Sequence, residues 1–229
     1  MPAEAIHLSA LEDSVDRSPP LQAMLSTPSL RAAARLGAVF VDLPYFGRVL
    51  RSMAAHAAGN EAALSTWGER LHHQTPIRFL RSLAEGSAQL PLPCVEGKWL
   101  AAFSLGFASH AAVDRSLHPL VNRLAADRAR ERGTSLLKEH QQVEKVHSIL
   151  FHRERLGRDL LGTRELTGFL EIDARPLFKP GVIASAVASA FEQTYQLAPS
   201  ARELRGWARG YGHYVRLLSA LPADRKSVV

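Results

Sequence analysis

The side chains best suited to chemistry in this 229-residue chain are His110, Asp114 and His118. They stand four residues apart. On an α-helix of 3.6 residues per turn they share one stripe, each about a turn from the next. Ala111, Ala112, Val113 and Leu117 lie between them, so three polar groups interrupt a segment that otherwise reads as buried. His140 and Glu144 repeat the i, i+4 spacing further on. Imidazole nitrogen and carboxylate oxygen bind zinc at about 2.0–2.2 Å, with four ligands in a structural site and three plus an open position in a catalytic one. One such pair arises by chance in many helices. Two sets on helices close in sequence describe a metal site facing into a helical bundle.

Three further candidates lie upstream. His7 falls on the apolar side of a first helix. Asp42 follows an apolar run, where an unpaired carboxylate is costly to bury. His72 closes a helix just before Pro76, with His73 as its immediate rival. Each has an ordinary reading beside the metal one. A lone histidine on a helix is usually just hydrogen-bonded, Glu144 has Lys138 and Lys145 within reach on a helix surface, and Asp42 would serve as a turn or cap residue. His147 shares the face of His140 and reads as structural or as support for a ligand; His152 is open in role. Trp67, Trp99, Phe103 and Phe107 read as core. The aromatic stretch Trp207–Tyr214 reads as core ahead of a pocket rim.

The elements that must position these groups are helical. Apolar periodicity predicts helices over residues 4–16, 29–36, 48–58, 60–72, 77–85, 95–115, 136–155, 163–170, 182–195 and 199–220. Ser18-Pro19-Pro20, Gly59-Asn60, the proline-containing connector 86–93, Gly133-Thr134-Ser135 and Phe178–Gly181 break them. Pro119 either stops the central helix or sits in the first turn of a continuation to about 131. One segment departs from this pattern. Leu36–Leu43, β-branched and aromatic between Gly37 and Pro44, predicts a short strand or a buried loop. The expected class is all-α: a single helical domain over 1–221 with a frayed tail over 222–229.

Composition sets the remaining bounds. Apolar residues make up 46% and charged ones 22%, enough for a core in a soluble protein. The net charge of +6 favours anionic partners; the Arg-rich stretches 128–132 and 153–158 read as solvated helix faces. The single cysteine, Cys94, excludes an intrachain disulfide and fits a reducing compartment. The first eighteen residues carry Glu4, Glu12, Asp13 and Asp16 and show neither a basic nor an apolar leader region. The most apolar stretch, Trp99–Val113, is shorter than the roughly 20 residues of a membrane span. The expectation is a cytoplasmic protein.

The motifs Phe107-Ala108-Ser109-His110-Ala111-Ala112-Val113-Asp114, His118-Pro119 and His140-x3-Glu144 resemble the bacterial zinc-dependent phospholipase C superfamily, whose fold is shared with the single-strand-specific zinc nucleases. Gly37–Pro44 and His72-x3-Pro76 extend the resemblance, which runs from about residue 7 to 144. It implies a mostly helical fold with two or three zinc ions at the bottom of a cleft. Carried over by position, His72, His110 and Asp114 would hold one ion with Asp42 beside it, and His118, His140 and Glu144 a second. His7 and a shared Asp114 would help hold a third. Secreted members of the family also use the amino group and carbonyl of the mature first residue there. This chain shows no leader and has His7 near its start, so a two-metal site is a real alternative.

The implied activity is hydrolysis of a phosphodiester, with Asp42 as base or orienting group for the attacking water. The implied substrate is a lipid or small-molecule phosphoester, met through transient contact with a membrane surface. A nuclease or nucleotidase on the same scaffold is the second reading. The third is a non-catalytic helical protein holding structural zinc.

Overall fold

The computed structural model describes residues 4–48, 66–90, 94–157 and 163–220. The expected helix at 48–58, residues 60–65, the connector's prolines at 91 and 93, and the tail over 222–229 fall at or beyond those limits, so they lie outside the described residues. The described elements are α1 (Glu4–Asp16), α2 (Pro19–Met24), α3 (Pro28–Phe40), a 3₁₀ turn (Leu43–Arg48), α4 (Thr66–His73), α5 (Pro76–Ala88), α6 (Val95–Arg132), α7 (Leu136–Leu156), α8 (Arg164–Leu170), a 3₁₀ turn (Arg175–Leu177), α9 (Val182–Tyr195) and α10 (Ala201–Ala220). Among the described residues there is no strand, and the chain is all-α.

Two sequence expectations need correction. Ser18-Pro19-Pro20 does not only end α1; Pro19 opens α2, because proline at a first helical position loses no hydrogen bond. The strand or loop expected over Leu36–Leu43 is instead the last turns of α3, which run to Phe40 before a turn at Val41-Asp42 and the 3₁₀ turn. Leu36, Ala38, Val39 and Phe40 are fully buried. A helix enclosed on all sides has no polar face, so its sequence loses the 3.6-residue signature and resembles a buried strand.

What encloses α3 is α6. A Cβ added to Gly37 would lie 2.0 Å from the Phe103 carbonyl oxygen, and one on Gly106 would lie 1.8 Å from that of Ala34. The two backbones therefore touch where the helices cross, and only glycine allows that approach. Around the crossing, Phe40 meets Phe103 edge-on at 5.1 Å, and Phe79 and Phe191 close the same core.

Helix α6 carries Pro119 and continues to Arg132, forgoing the backbone bond that the missing N–H would give. Cys94 caps its start, its Sγ accepting from the Gly97 N–H at 3.1 Å. Gly133, at φ 62°, ends it in the left-handed conformation that favours glycine. Its first half lies in the main core. Beyond Asp114 it pairs with α7 through a separate small cluster of Val121, Ala125 and Val143. The last third of the chain closes the other side. Tyr211 and Trp207 on α10 are buried, as expected for core, and Gly210 packs against the Phe46 carbonyl, fixing the 3₁₀ turn that follows Asp42. No helix among the described residues is long and apolar enough to cross a membrane.

Candidate metal centre

The structure brings all eight candidate side chains into one cluster. His7 comes from α1, Asp42 from the turn after α3, and His72 from the end of α4. His110, Asp114 and His118 come from one stripe of α6, and His140 and Glu144 from α7. Their ligand atoms form three groups, each within 4.8 Å: His7, His110 and Asp114; Asp42, His72 and His110, which shares His110 with the first; and His118, His140 and Glu144. His73 is exposed and turned away, which separates it from its neighbour His72.

Backbone carbonyls orient two of the rings. His110 Nδ1 lies 2.8 Å from the Ala38 carbonyl oxygen, and His72 Nδ1 lies 2.9 Å from that of Gly68. A carbonyl only accepts, so each Nδ1 carries the hydrogen and each Nε2 faces the cluster. That is how an outer partner fixes the tautomer of a metal-binding imidazole. The Ala38 carbonyl is in place because α3 and α6 touch at Gly37 and Gly106, so the glycine crossing aims His110.

Asp114 is the hub. Its carboxylate lies 3.1 Å from His110 Nε2, 3.4 Å from His118 Nε2, 3.5 Å from His7 Nε2 and 3.9 Å from His72 Nε2. Asp42 lies 3.1 Å from His72 Nε2. At the other end His140 Nε2 is 3.1 Å from Glu144, whose carboxylate is also 3.6 Å from His118.

Without a cation these groups strain one another. Burial alone would lower His110, yet the Asp42 and Asp114 charges outweigh it and hold the ring up at about 9. Burial pushes His7 down to about 3, and the neighbouring charge of His110 adds to this; the two rings stack at 3.8 Å. Burial works to raise Asp114, but His110 beside it leaves the carboxyl far below the ordinary range. His140 is raised chiefly by its bond to Glu144. His7 Nδ1, Asp42 Oδ2 and His110 Nε2 are cut off from solvent and make no hydrogen bond. Buried polar atoms are normally paired, and a cation is the partner these donors fit: nitrogen and oxygen only.

Beside the cluster opens a small cleft. His7, Asp114, His118, Glu144 and His147 form its polar wall, and Ile6, Val113, Leu117 and Val121 its apolar one. His147, read from the sequence as structural or as support for a ligand, lies on this wall. His152 is buried away from the cluster against Phe151. Sequence reasoning missed Tyr45, whose hydroxyl lies 3.5 Å from His72 Nδ1 and 3.4 Å from Glu69.

A helical protein gathering histidines and carboxylates from five segments beside a cleft belongs to the class of helical metal-binding proteins. Residues 6–179 match the family of zinc dependent phospholipase C, and the chain belongs to that family. No curated protein and no solved structure matches it. At the level of the family, the chain is a zinc-dependent phosphoester hydrolase.

Proposed function

We propose that the chain hydrolyses a lipid phosphodiester in the manner of a phospholipase C, releasing a diacylglycerol-like alcohol and a phosphomonoester. The carrying observation is the cluster itself: eight nitrogen and oxygen donors gathered at the side of a cleft with one polar and one apolar wall. In this reading His72 and His110 with Asp42 hold one zinc ion, and His118, His140 and Glu144 hold another. Asp114 touches both sets, and His7 faces a third position. Bound zinc would neutralise charge building on the phosphoryl oxygens and make a bound water nucleophilic near neutral pH.

The chain's own residues set the geometry. The Ala38 and Gly68 carbonyls keep the two imidazoles aimed, and Asp42, whose Oδ1 lies 3.1 Å from His72 Nε2, is placed beside the ion to take or orient a proton of the attacking water. His147 on the cleft wall is placed to hydrogen-bond a phosphoryl oxygen.

The apolar wall favours a lipid. Leu117 and Val121 in the cleft continue along the same face of α6 to Leu120 and Leu124, which are 50% and 36% exposed. The stripe therefore leads from the cluster outward to the surface, where an acyl chain or a membrane would meet it. Purified protein should contain zinc and should release phosphocholine or a similar head group from phospholipid vesicles, with loss of activity on chelation. Turnover of single-stranded nucleic acid in preference to any phospholipid would move the chain to nuclease chemistry. A protein free of transition metal would end the reading.

A further inference from the structure

Asp42 and His72 lie 30 residues apart in the chain, one on a turn and one near the end of α4. Yet the Asp42 carboxylate is 3.1 Å from His72 Nε2. A contact between the turn and the helix must hold that register, and Tyr45 makes it. Its backbone N–H donates to the Asp42 carbonyl oxygen at 3.0 Å, closing the turn that carries the carboxylate. Its ring lies flat on α4. A Cβ added to Gly68 would fall 2.4 Å from Tyr45 Cζ and 2.5 Å from Cε1, so only glycine leaves room for the ring there. The Gly68 carbonyl also takes the His72 Nδ1 hydrogen, at 2.9 Å. The ring is therefore seated on the same residue that orients the imidazole.

The hydroxyl reaches the imidazole itself. Tyr45 Oη lies 3.5 Å from His72 Nδ1 and 3.4 Å from Glu69 Oε1, and the Tyr45 and His72 ring centroids are 5.4 Å apart. An ionised carboxylate only accepts. The phenol thus gives its hydrogen to Glu69 and turns an oxygen lone pair toward the Nδ1–H of His72. An acceptor behind an imidazole fixes its tautomer and makes the nitrogen in front a better ligand. Both contacts are long, so the Gly68 carbonyl carries the larger share and the hydroxyl the smaller.

We propose that Tyr45 is a positioning residue of the centre: seated on Gly68 and steadied by Glu69, it holds His72 in register with Asp42 for the ion they share with His110. The inference rests on the zinc hydrolase reading and deepens it, because it names what joins two ligands that come from separate segments.

Metal-free wild type, Tyr45→Phe and Gly68→Ala should be titrated with Zn²⁺, reading the equivalents bound, the affinity of each and the metal-free melting temperature. Tyr45→Phe keeps the ring and removes the hydroxyl. The expected result is a loss of about tenfold in the affinity of one equivalent, the low end for an outer partner of a metal ligand. The other equivalents and the metal-free melting temperature should stay at wild type. Gly68→Ala lifts the ring from its seat and should weaken the same equivalent further. His72→Ala marks that equivalent by abolishing it, and Tyr45→Phe added to His72→Ala should change no remaining affinity. Wild-type affinity for every equivalent in Tyr45→Phe overturns the proposal. Equal weakening of all equivalents with a lower metal-free melting temperature overturns it too, since that marks a residue serving the fold alone. Should Tyr45→Phe fail to fold, Glu69→Ala removes the acceptor of the hydroxyl and leaves the ring; wild-type affinity for every equivalent in that variant also overturns it. Wild type that binds no zinc overturns the zinc hydrolase reading itself, so the two failures are distinguishable.

Discussion

The two ends of the cluster are held in different ways. At the α1–α3 end, His7 and His110 are 4% and 1% exposed. Their rings stack, and His7 Nδ1 and His110 Nε2 are shut off from solvent without a hydrogen bond. At the α6–α7 end, His118, His140 and Glu144 have side chains about a quarter exposed, at 25%, 23% and 28%. There His140 and Glu144 already bond each other across one helical turn. The buried end is built into the main core and is incomplete without a cation. The open end sits on a helix pair with its own small core, and its donors bond each other. Burial fixes donors at the cost of leaving them unpaired when the site is empty. Exposure avoids that cost, and opens the ion to substrate.

Removing the metal should separate the ends most. With free zinc at 100 times its Kd, each ion adds about 2.7 kcal/mol to stability, so two ions contribute about 5 kcal/mol. Chelation should therefore lower the melting temperature sharply, with hydrogen exchange rising first in α1 and α3. Chelated and zinc-loaded protein melting together would break the comparison at its root.

Single histidines sharpen it further. In the metal-free protein, His110→Ala removes the partner of two half-buried carboxylates and should cost roughly 3–5 kcal/mol, as breaking a buried pair does. His118→Ala in the same state should stay within about 0.5 kcal/mol of wild type, since its side chain is a quarter exposed. Both should lose most zinc-dependent turnover. Denaturant melts of the two metal-free variants decide the matter: equal destabilisation would mean that the ends do not differ.

A third test acts on neither ligand. Gly37→Ala places a methyl against the Phe103 backbone, where no atom fits without a shift. The expected cost is about 1–3 kcal/mol, as for other overpacked sites. The α3 displacement should also move the Ala38 carbonyl off His110. Zinc affinity should fall at the buried end, while the equivalent held by His118, His140 and Glu144 keeps its wild-type affinity.

The open end was the more legible in sequence. Its ligands and the rest of the His110 stripe lie on two helices, where i, i+4 spacing translates directly into a shared face. Asp42 and His72 carry no local spacing. They entered through an apolar run, a helix end and a family resemblance, and the chain must fold for them to meet His110. The Leu36–Leu43 segment was misread because full burial erases helical periodicity. The Gly37–Gly106 contact was invisible because it is a property of two helices crossing.

The smallest effect expected is at the hinge of the open end. Glu139, between Arg132 and His140, accepts a bond from Thr134 at 2.8 Å and from Arg128 at 2.9 Å. The Thr134 and Arg128 bonds hold its carboxyl below the usual range. A group whose pKa is depressed by folding stabilises above its unfolded value, 4.5 here, and loses that contribution as pH falls through the folded one. Glu139→Gln should therefore melt slightly below wild type at pH 7, and the gap should close as pH drops below about 4.5. Because Glu139 ties the α6–α7 turn and touches no donor of the buried end, the variant should loosen zinc at His140 while leaving the His110 equivalent in place. A gap that persists unchanged at pH 3, or equal weakening at both ends, would show that the helix pair and the main core hold the cluster as one body.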